Sequence, residues 1–258
     1  MLTREWLRGV GKAMVHMVYP EKESCQLCGK PIRFPTEKLG TLLCESCQSD
    51  IHWIGEHVCK VCGREENDKS LCGDCGYRSE RHFVFSRSAT HYNEGMKQLL
   101  YRYKYQGDRK VGKLLGAVLY QGWKKYYDLP KSISKHPIHL LTFVPMHEER
   151  LFERSFNQSK ELAEELSEKT GIPMADLLIR VKATDKQSKQ GREERLRALR
   201  GAFRYKPGLE VATSVTTESI GILLVDDIYT TGATLNEAAR VIRRGLPNAK
   251  VYGLTVSR

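Results

Sequence analysis

The stretch Ile222-Leu223-Leu224-Val225-Asp226-Asp227-Ile228-Tyr229-Thr230-Thr231-Gly232-Ala233-Thr234 decides how the rest of the chain is read. Four consecutive apolar residues suit a strand buried on both faces. From Leu235 to Arg244 the apolar residues recur at helical spacing, and Gly245 and Pro247 close the segment. A short turn therefore joins a strand to a helix. In it Thr230, Thr231 and Thr234 offer hydroxyls and Gly232, followed by Ala233, lets the backbone approach a ligand closely, while the N-terminal amides of the helix favour a phosphate dianion. Asp226 and Asp227, at the carboxyl end of the strand, can accept hydrogen bonds from two vicinal hydroxyls. A ribose 5-phosphate meets both demands. An ordinary strand-turn-helix with an acidic cap leaves two adjacent acids followed by three threonines and a glycine unexplained.

Over these residues the sequence resembles the diphosphate-sugar motif of the type I phosphoribosyltransferases: four apolar residues, two acids, two further positions, then Thr-Gly-x-Thr or similar. The resemblance implies 5-phosphoribosyl 1-diphosphate (PRPP) as ligand, with magnesium held mainly on ligand oxygens and water. One departure matters. Purine-salvage members usually place an aspartate where this chain has Thr230, and that aspartate acts as general base toward the purine; a threonine cannot. Transfer chemistry is therefore less secure than ligand binding.

All eight cysteines lie in the first third of the chain, as four Cys-x-x-Cys pairs: Cys25 and Cys28, Cys44 and Cys47, Cys59 and Cys62, Cys72 and Cys75. Two such knuckles complete a closed tetrahedral zinc site, so two structural zinc ions consume every thiol. Sequential grouping gives two ribbons in series; a cross-braced grouping satisfies the same spacing. Four sulfurs per ion leave no open coordination position, which argues against catalytic zinc. Disulfides are the competing use of eight cysteines. The sequence shows no secretory signal and no spanning apolar run, so a reducing, cytoplasmic setting and no transmembrane segment are expected.

Strands alternating with helices after the cysteines imply an α/β fold with a parallel sheet and ligand loops at its carboxyl edge. Ser86 to Thr90 and His139 to Val144 read as strands. Glu94 to Lys104, Val111 to Tyr126 and Gln158 to Lys169 read as helices, the last ended by Gly171 and Pro173. Near the start, Leu2, Trp6, Val10 and Met14 recur every four residues, as in a helix docked on the protein. The expected organisation is a helical segment over 1–24, a double zinc ribbon over 25–80 and an α/β domain over 83–258.

After the strand ending at Val144 the chain continues Val144-Pro145-Met146-His147-Glu148-Glu149-Arg150-Leu151-Phe152-Glu153-Arg154-Ser155-Phe156-Asn157-Gln158. With the cysteine knuckles, the sugar-phosphate motif, Lys104-Tyr105-Gln106-Gly107-Asp108 and the Thr184 to Phe203 segment, this resembles the ComF family. These are competence-associated, phosphoribosyltransferase-like proteins with an N-terminal double zinc ribbon. The family writes Val-Pro, a few residues, then Arg-Gly-Phe-Asn-Gln; here Ser155 replaces the glycine, which bears on whether that turn takes a positive φ. The resemblance implies the type I phosphoribosyltransferase fold. It makes the turn at Val144 and Pro145 the pyrophosphate loop, with Arg150 or Arg154 adding charge-assisted contacts and Asn157 and Gln158 completing the motif. Arg154 suits a surface ion pair equally well. A flexible loop would contribute Thr184, Gln187 and Arg195, with Ala198 standing where the family has asparagine.

The window Lys182 to Lys206 carries +6 and Gly95 to Lys113 carries +5, together the whole formal charge of +11. That exceeds what one small ligand requires. Interleaved with Tyr101, Tyr103, Tyr105, Phe203 and Tyr205, the two windows suit single-stranded nucleic acid, where base stacking and phosphate neutralisation act together; a solvated lysine-rich face with core tyrosines is the plainer account. Two functions compete. One is a PRPP-binding protein of DNA uptake that handles single-stranded DNA, with a competence helicase as the partner the resemblance implies. The other is an active phosphoribosyltransferase that releases pyrophosphate from PRPP onto an unidentified acceptor.

Overall fold

Near-continuous apolar runs make the two central strands of a parallel sheet in the computed structural model, because a strand covered on both faces needs no polar alternation. The structure describes residues 24–32, 38–40, 42–67, 71–77, 80–128, 137–183, 198–206 and 219–258. The expected helix over the first twenty residues lies outside them, as does the whole Thr184 to Arg195 loop. Two compact units divide the chain, Met1–Asp50 and Ile51–Arg258, so the division falls between the first four cysteines and the last four.

In the first unit a short helix, α1 (Glu45–Ser49), carries Cys47 and follows Cys44. The second unit begins with the other cysteines and α2 (Gly73–Gly76). It continues as β1 (Ser86–Thr90), α3 (Glu94–Gln106), α4 (Arg109–Tyr126), β2 (Leu140–Phe143), α5 (Glu148–Arg154) and α6 (Gln158–Thr170). The order closes with β3 (Leu178–Arg180), β4 (Phe203–Tyr205), β5 (Ile220–Ile228), α7 (Ala233–Gly245) and β6 (Ala249–Ser257). Among the described residues the main sheet runs β1-β6-β5-β2, all parallel, while β3 and β4 form a separate antiparallel pair.

Local signals set the helix ends. Asn93 caps α3, Asp108 caps α4 and Asn157 caps α6, each side chain accepting from first-turn amides. Gly107 and Gly171 stop α3 and α6 in the left-handed conformation that a glycine adopts without a Cβ penalty. Neighbours on a strand point to opposite faces, and Gly253 and Leu254 show which helices lie where. A Cβ on Gly253 would strike Leu235 of α7, whereas Gly122 of α4 lies against Ala89 and Leu254. Helices α4 and α6 pack together on one face; α7 covers the other.

The core on the α7 side includes Ile222, Leu224, Val251, Ala238 and Ile242. The same buried cluster takes in Cys59, Cys62, Cys72, Cys75 and Phe83. The second set of cysteines is thus part of the α/β core.

Registers bring Phe143 opposite Val225 and Asp226 opposite Thr255, so the carboxyl ends of β2, β5 and β6 form one edge. At the other end Gly221 is pressed on the chain entering β2: a Cβ there would lie 1.9 Å from the carbonyl oxygen of Pro137. Gly221→Ala should therefore cost about 1–3 kcal/mol by overpacking. Urea unfolding measures it, and an unshifted midpoint would show that the Pro137 backbone yields freely.

Candidate functional site

Asp226 and Asp227 leave the sheet at the carboxyl end of β5, and neither is left as a bare carboxylate. Asp226 Oδ1 accepts from Ser159 Oγ at 2.8 Å and from the Asp227 amide at 2.9 Å. Asp227 forms an ion pair with Lys104 of α3, both side chains being largely buried. Burial pushes the Asp226 carboxyl up from 3.8 to about 7, and the charge of Asp227 pushes the same way; the Ser159 hydroxyl, the Asp227 amide and Lys104 oppose them. Lys104 thus acts on both adjacent acids. A ligand that brings hydroxyl donors would stabilise the charged form of both.

The turn that follows ends at Gly232, with φ 73° and ψ 10°. A Cβ there would come 2.1 Å from Tyr229 Oη, so this position combines left-handed backbone with a close approach that only glycine allows. Thr230 is exposed, while Thr231 and Thr234 are half-buried and Ala233 is buried. Thr231 Oγ1 accepts from the Ala233 amide at 3.3 Å, and Gly232, as N-cap residue, supplies no side-chain acceptor to the first turn of α7. The thirteen-residue α7 therefore begins with donors that suit an anion.

Val144 and Pro145, both buried, carry the chain from β2 into the second turn. Asn157 Nδ2 donates to the Val144 carbonyl at 3.2 Å, while Asn157 Oδ1 accepts from the amides of Ser159 and Lys160. Asn157 is thus the strut between this turn and α6. Gln158 is buried, and its Oε1 accepts from Arg154 Nη1 at 3.3 Å. Ser155 ends α5 with φ 64°, so the position where the family has glycine does adopt the left-handed conformation, here at a serine's steric cost. Arg150 lies near Arg180: burial holds the Arg180 guanidinium below its usual value, the Arg150 charge adds to this and Asp226 opposes it. Arg195 lies outside the described residues.

The cysteines group sequentially. Cys25, Cys28, Cys44 and Cys47 form one cluster and Cys59, Cys62, Cys72 and Cys75 the other, the sulfurs of each within 4.8 Å of one another. All eight are free thiols, with Cys28 and Cys44 sulfurs 3.7 Å apart and Cys62 and Cys72 sulfurs 3.6 Å apart. Zinc–sulfur bonds of about 2.3 Å place neighbouring sulfurs of a tetrahedron about 3.8 Å apart, so both clusters fit zinc and neither fits a disulfide.

The aromatic residues of the basic windows divide sharply. Tyr103 is buried, its hydroxyl donating to Glu161 Oε2 at 3.1 Å. Phe203 belongs to the core, and Tyr205 packs on Gly245 of α7. Tyr103 and Phe203 cannot stack on bases, which corrects the expectation drawn from the sequence, and Tyr205 is half-buried. Tyr101 and Tyr105, 56 % and 58 % exposed, remain at the surface. Of the cations, Arg102 pairs with Asp108 and Lys104 with Asp227, so part of the charge of that window is neutralised within the fold. A cavity of about 570 Å³, lined by Pro145, Met146, Phe156, Leu178 and Arg180 among others, adjoins the Val144 turn rather than the acid pair.

The two cysteine clusters agree with one comparison to known proteins. Residues 14–76 match the family model described as a double zinc ribbon domain. The chain is 34% identical over 229 residues to Competence protein ComFC of Bacillus subtilis, covering 87% of this chain and 85% of that protein. This chain belongs to the ComF family. It is also 31% identical to Competence protein ComFC of Streptococcus pneumoniae, over 89% of this chain and 98% of that protein. Competence protein F of Haemophilus influenzae is 26% identical over 82% and 95% of the two chains. Among solved structures, adenine phosphoribosyltransferase from Leishmania tarentolae matches with a TM-score of 0.30 and 15% identity, covering 61% of this chain and 75% of that one.

Four neighbours of the expected site residues were not singled out in the sequence. Lys104 stood inside a segment shared with the family, but nothing local pairs it with Asp227, 123 positions along the chain. Ser159 follows the Asn157-Gln158 motif directly and meets Asp226 only through the packing of α6 on β5. Arg180, in the β3–β4 pair, and Tyr229, beneath the turn, gave no signal of their own. No helix among the described residues is long and apolar enough to cross a membrane.

The raised Asp226 carboxyl has a consequence for stability. Between its ordinary 3.8 and about 7 the folded protein holds a proton that the unfolded chain has released. This group's contribution is therefore complete below that window and lost as pH rises through it. Urea midpoints from pH 5 to 8 should fall with rising pH in the wild type and fall less in Asp226→Asn; parallel curves would show that Asp226 titrates normally.

Proposed function

We propose that this protein binds PRPP with magnesium, serves DNA uptake, and contacts single-stranded DNA in the cytoplasm. The observation that carries the ligand reading is the acid pair at the end of β5, held by Ser159 and Lys104 one turn before α7, whose N-cap residue Gly232 supplies no side-chain acceptor. Asp226 and Asp227 would accept from the ribose hydroxyls, and Thr230, Thr231, Gly232 and Thr234 would surround the 5-phosphate. The Val144–Pro145 turn, with Arg150 nearby, would receive the diphosphate. Magnesium would neutralise diphosphate oxygens that the chain's own cations do not reach.

A role in DNA uptake rests on membership of the ComF family, whose named members include competence proteins of Bacillus subtilis and Streptococcus pneumoniae. A competence helicase is then the partner of choice. Two surface features support contact with single strands. Tyr101 and Tyr105 stand one helical turn apart with ring centroids 5.2 Å apart, and the Arg154 guanidinium lies 4.8 Å from the Tyr105 ring centroid. Beside them a groove of about 380 Å³ is lined by Lys104, Tyr105, Arg109 and Arg154 among others. Bases stack on such rings while arginines meet phosphate.

The second reading, transfer of ribose 5-phosphate to an acceptor, draws on the cavity beside the Val144 turn, whose mixture of aromatic, aliphatic and charged walls suits a small heterocycle. Thr230 still offers no general base.

Calorimetry with PRPP and magnesium tests the first reading. Asp227→Ala should weaken binding about 10- to 100-fold, in line with loss of a charged hydrogen-bonding partner; wild-type affinity in that variant would sink the site assignment. Release of pyrophosphate when a panel of bases is added would establish the transferase.

For the strand contact, Tyr105→Ala should lower affinity for a single-stranded oligonucleotide about 5- to 100-fold. Wild-type affinity should fall steeply with added salt. A flat salt response, or full binding by Tyr105→Ala, would move the strand elsewhere.

A further inference from the structure

The second cysteine cluster and the sugar-phosphate turn meet through one side chain. Arg258 Nη1 donates to the carbonyl oxygen of Cys62, within a zinc knuckle. The same guanidinium lies over the ring of Tyr229, 5.1 Å from its centroid. Tyr229 is the first residue after β5, its amide held by the Ser257 carbonyl at 2.9 Å, and its hydroxyl is packed so closely under the turn that Gly232 has no room for a Cβ. A second tie runs parallel: the His82 amide, just past the last cysteine knuckle, donates to Asn236 Oδ1 in the first turn of α7 at 2.9 Å. The knuckle itself is seated on the sheet, where the Ser86 amide donates to the Val61 carbonyl at 2.7 Å and Gly63 faces the Ser86 carbonyl too closely for any side chain.

We infer that Arg258 is a positioning residue that fixes the turn Thr230–Gly232 to the second zinc ribbon, so that zinc held by Cys59, Cys62, Cys72 and Cys75 sets the conformation of the phosphate-binding turn. The physical route is short. Zinc fixes the knuckle backbone and hence the Cys62 carbonyl; that carbonyl fixes the guanidinium; the guanidinium holds the Tyr229 ring, and the ring supports Gly232. Such coupling is reciprocal, so a ligand on the turn should also retain the metal. The inference uses the PRPP reading above only for the identity of the ligand.

The test follows amide exchange in peptides covering Tyr229 to Asn236, in the full zinc-loaded chain, with zinc counted by native mass spectrometry. Arg258→Ala should keep two zinc ions while exchange in the turn speeds up about 2- to 30-fold, the range for a lost cation–π contact. Arg258→Lys, which restores a cation over the ring, should slow exchange again. Unchanged exchange in Arg258→Ala at full zinc overturns the inference. If that variant loses zinc, Arg258→Gln, which keeps a donor for Cys62 but no charge over Tyr229, decides in the same way. Wild-type protein with PRPP and magnesium should also release one zinc more slowly to a chromogenic chelator, and Arg258→Ala should not. If the wild type binds no PRPP, the ligand reading falls, while the exchange experiment still decides whether the ribbon positions the turn.

Discussion

Two carboxylates placed side by side at the end of a buried strand repel each other and lose solvation, and the surrounding structure is arranged around that cost. Asp226 is held by a hydroxyl and an amide, Asp227 by the ammonium of Lys104. The amide is that of the next residue, but the hydroxyl and the ammonium come from distant helices. Ser159 comes from the start of α6 and Lys104 from the last turn of α3, and both helices must pack in register for the acids to be tolerated. On the proposed reading, a sugar that replaced these partners with its own hydroxyls would meet acids already organised for hydrogen-bond donors.

The zinc ribbons have unequal relations to their surroundings. The first cysteine cluster belongs to the unit Met1–Asp50 and includes the exposed Cys28. In the second cluster all four cysteines are buried and share a core with α7 and the central strands. A metal site embedded in that way stabilises more than its own loop, because the strands and the helix depend on the same packed residues.

Positive charge and aromatic residues tell a more selective story than their counts. Arg102, Lys104 and Arg109 lie within ion-pair distance of acids, and Tyr103 is consumed by the core between α3, α4 and α6. Among the described residues, Tyr105 at the end of α3 meets Arg154 of α5. The contact pairs residues 49 positions apart, and a window of composition cannot see it.

Periodicity and turn chemistry determined much of this protein. The strands at Ser86–Thr90 and Leu140–Phe143, the helices α3, α4, α6 and α7, the glycine ends of α3 and α6 and the eight thiols in two sets of four all follow from local spacing, because buried strands and capped helices impose near-neighbour rules; α5, inside the stretch read as a turn, does not. Tertiary structure decided the rest. It chose sequential over cross-braced cysteines, put Lys104 on Asp227, buried Tyr103 and Phe203, and seated Arg258 between Cys62 and Tyr229. Each of these depends on which helix face meets which strand end across scores of residues, and such meetings are set by packing, which no local window of residues encodes.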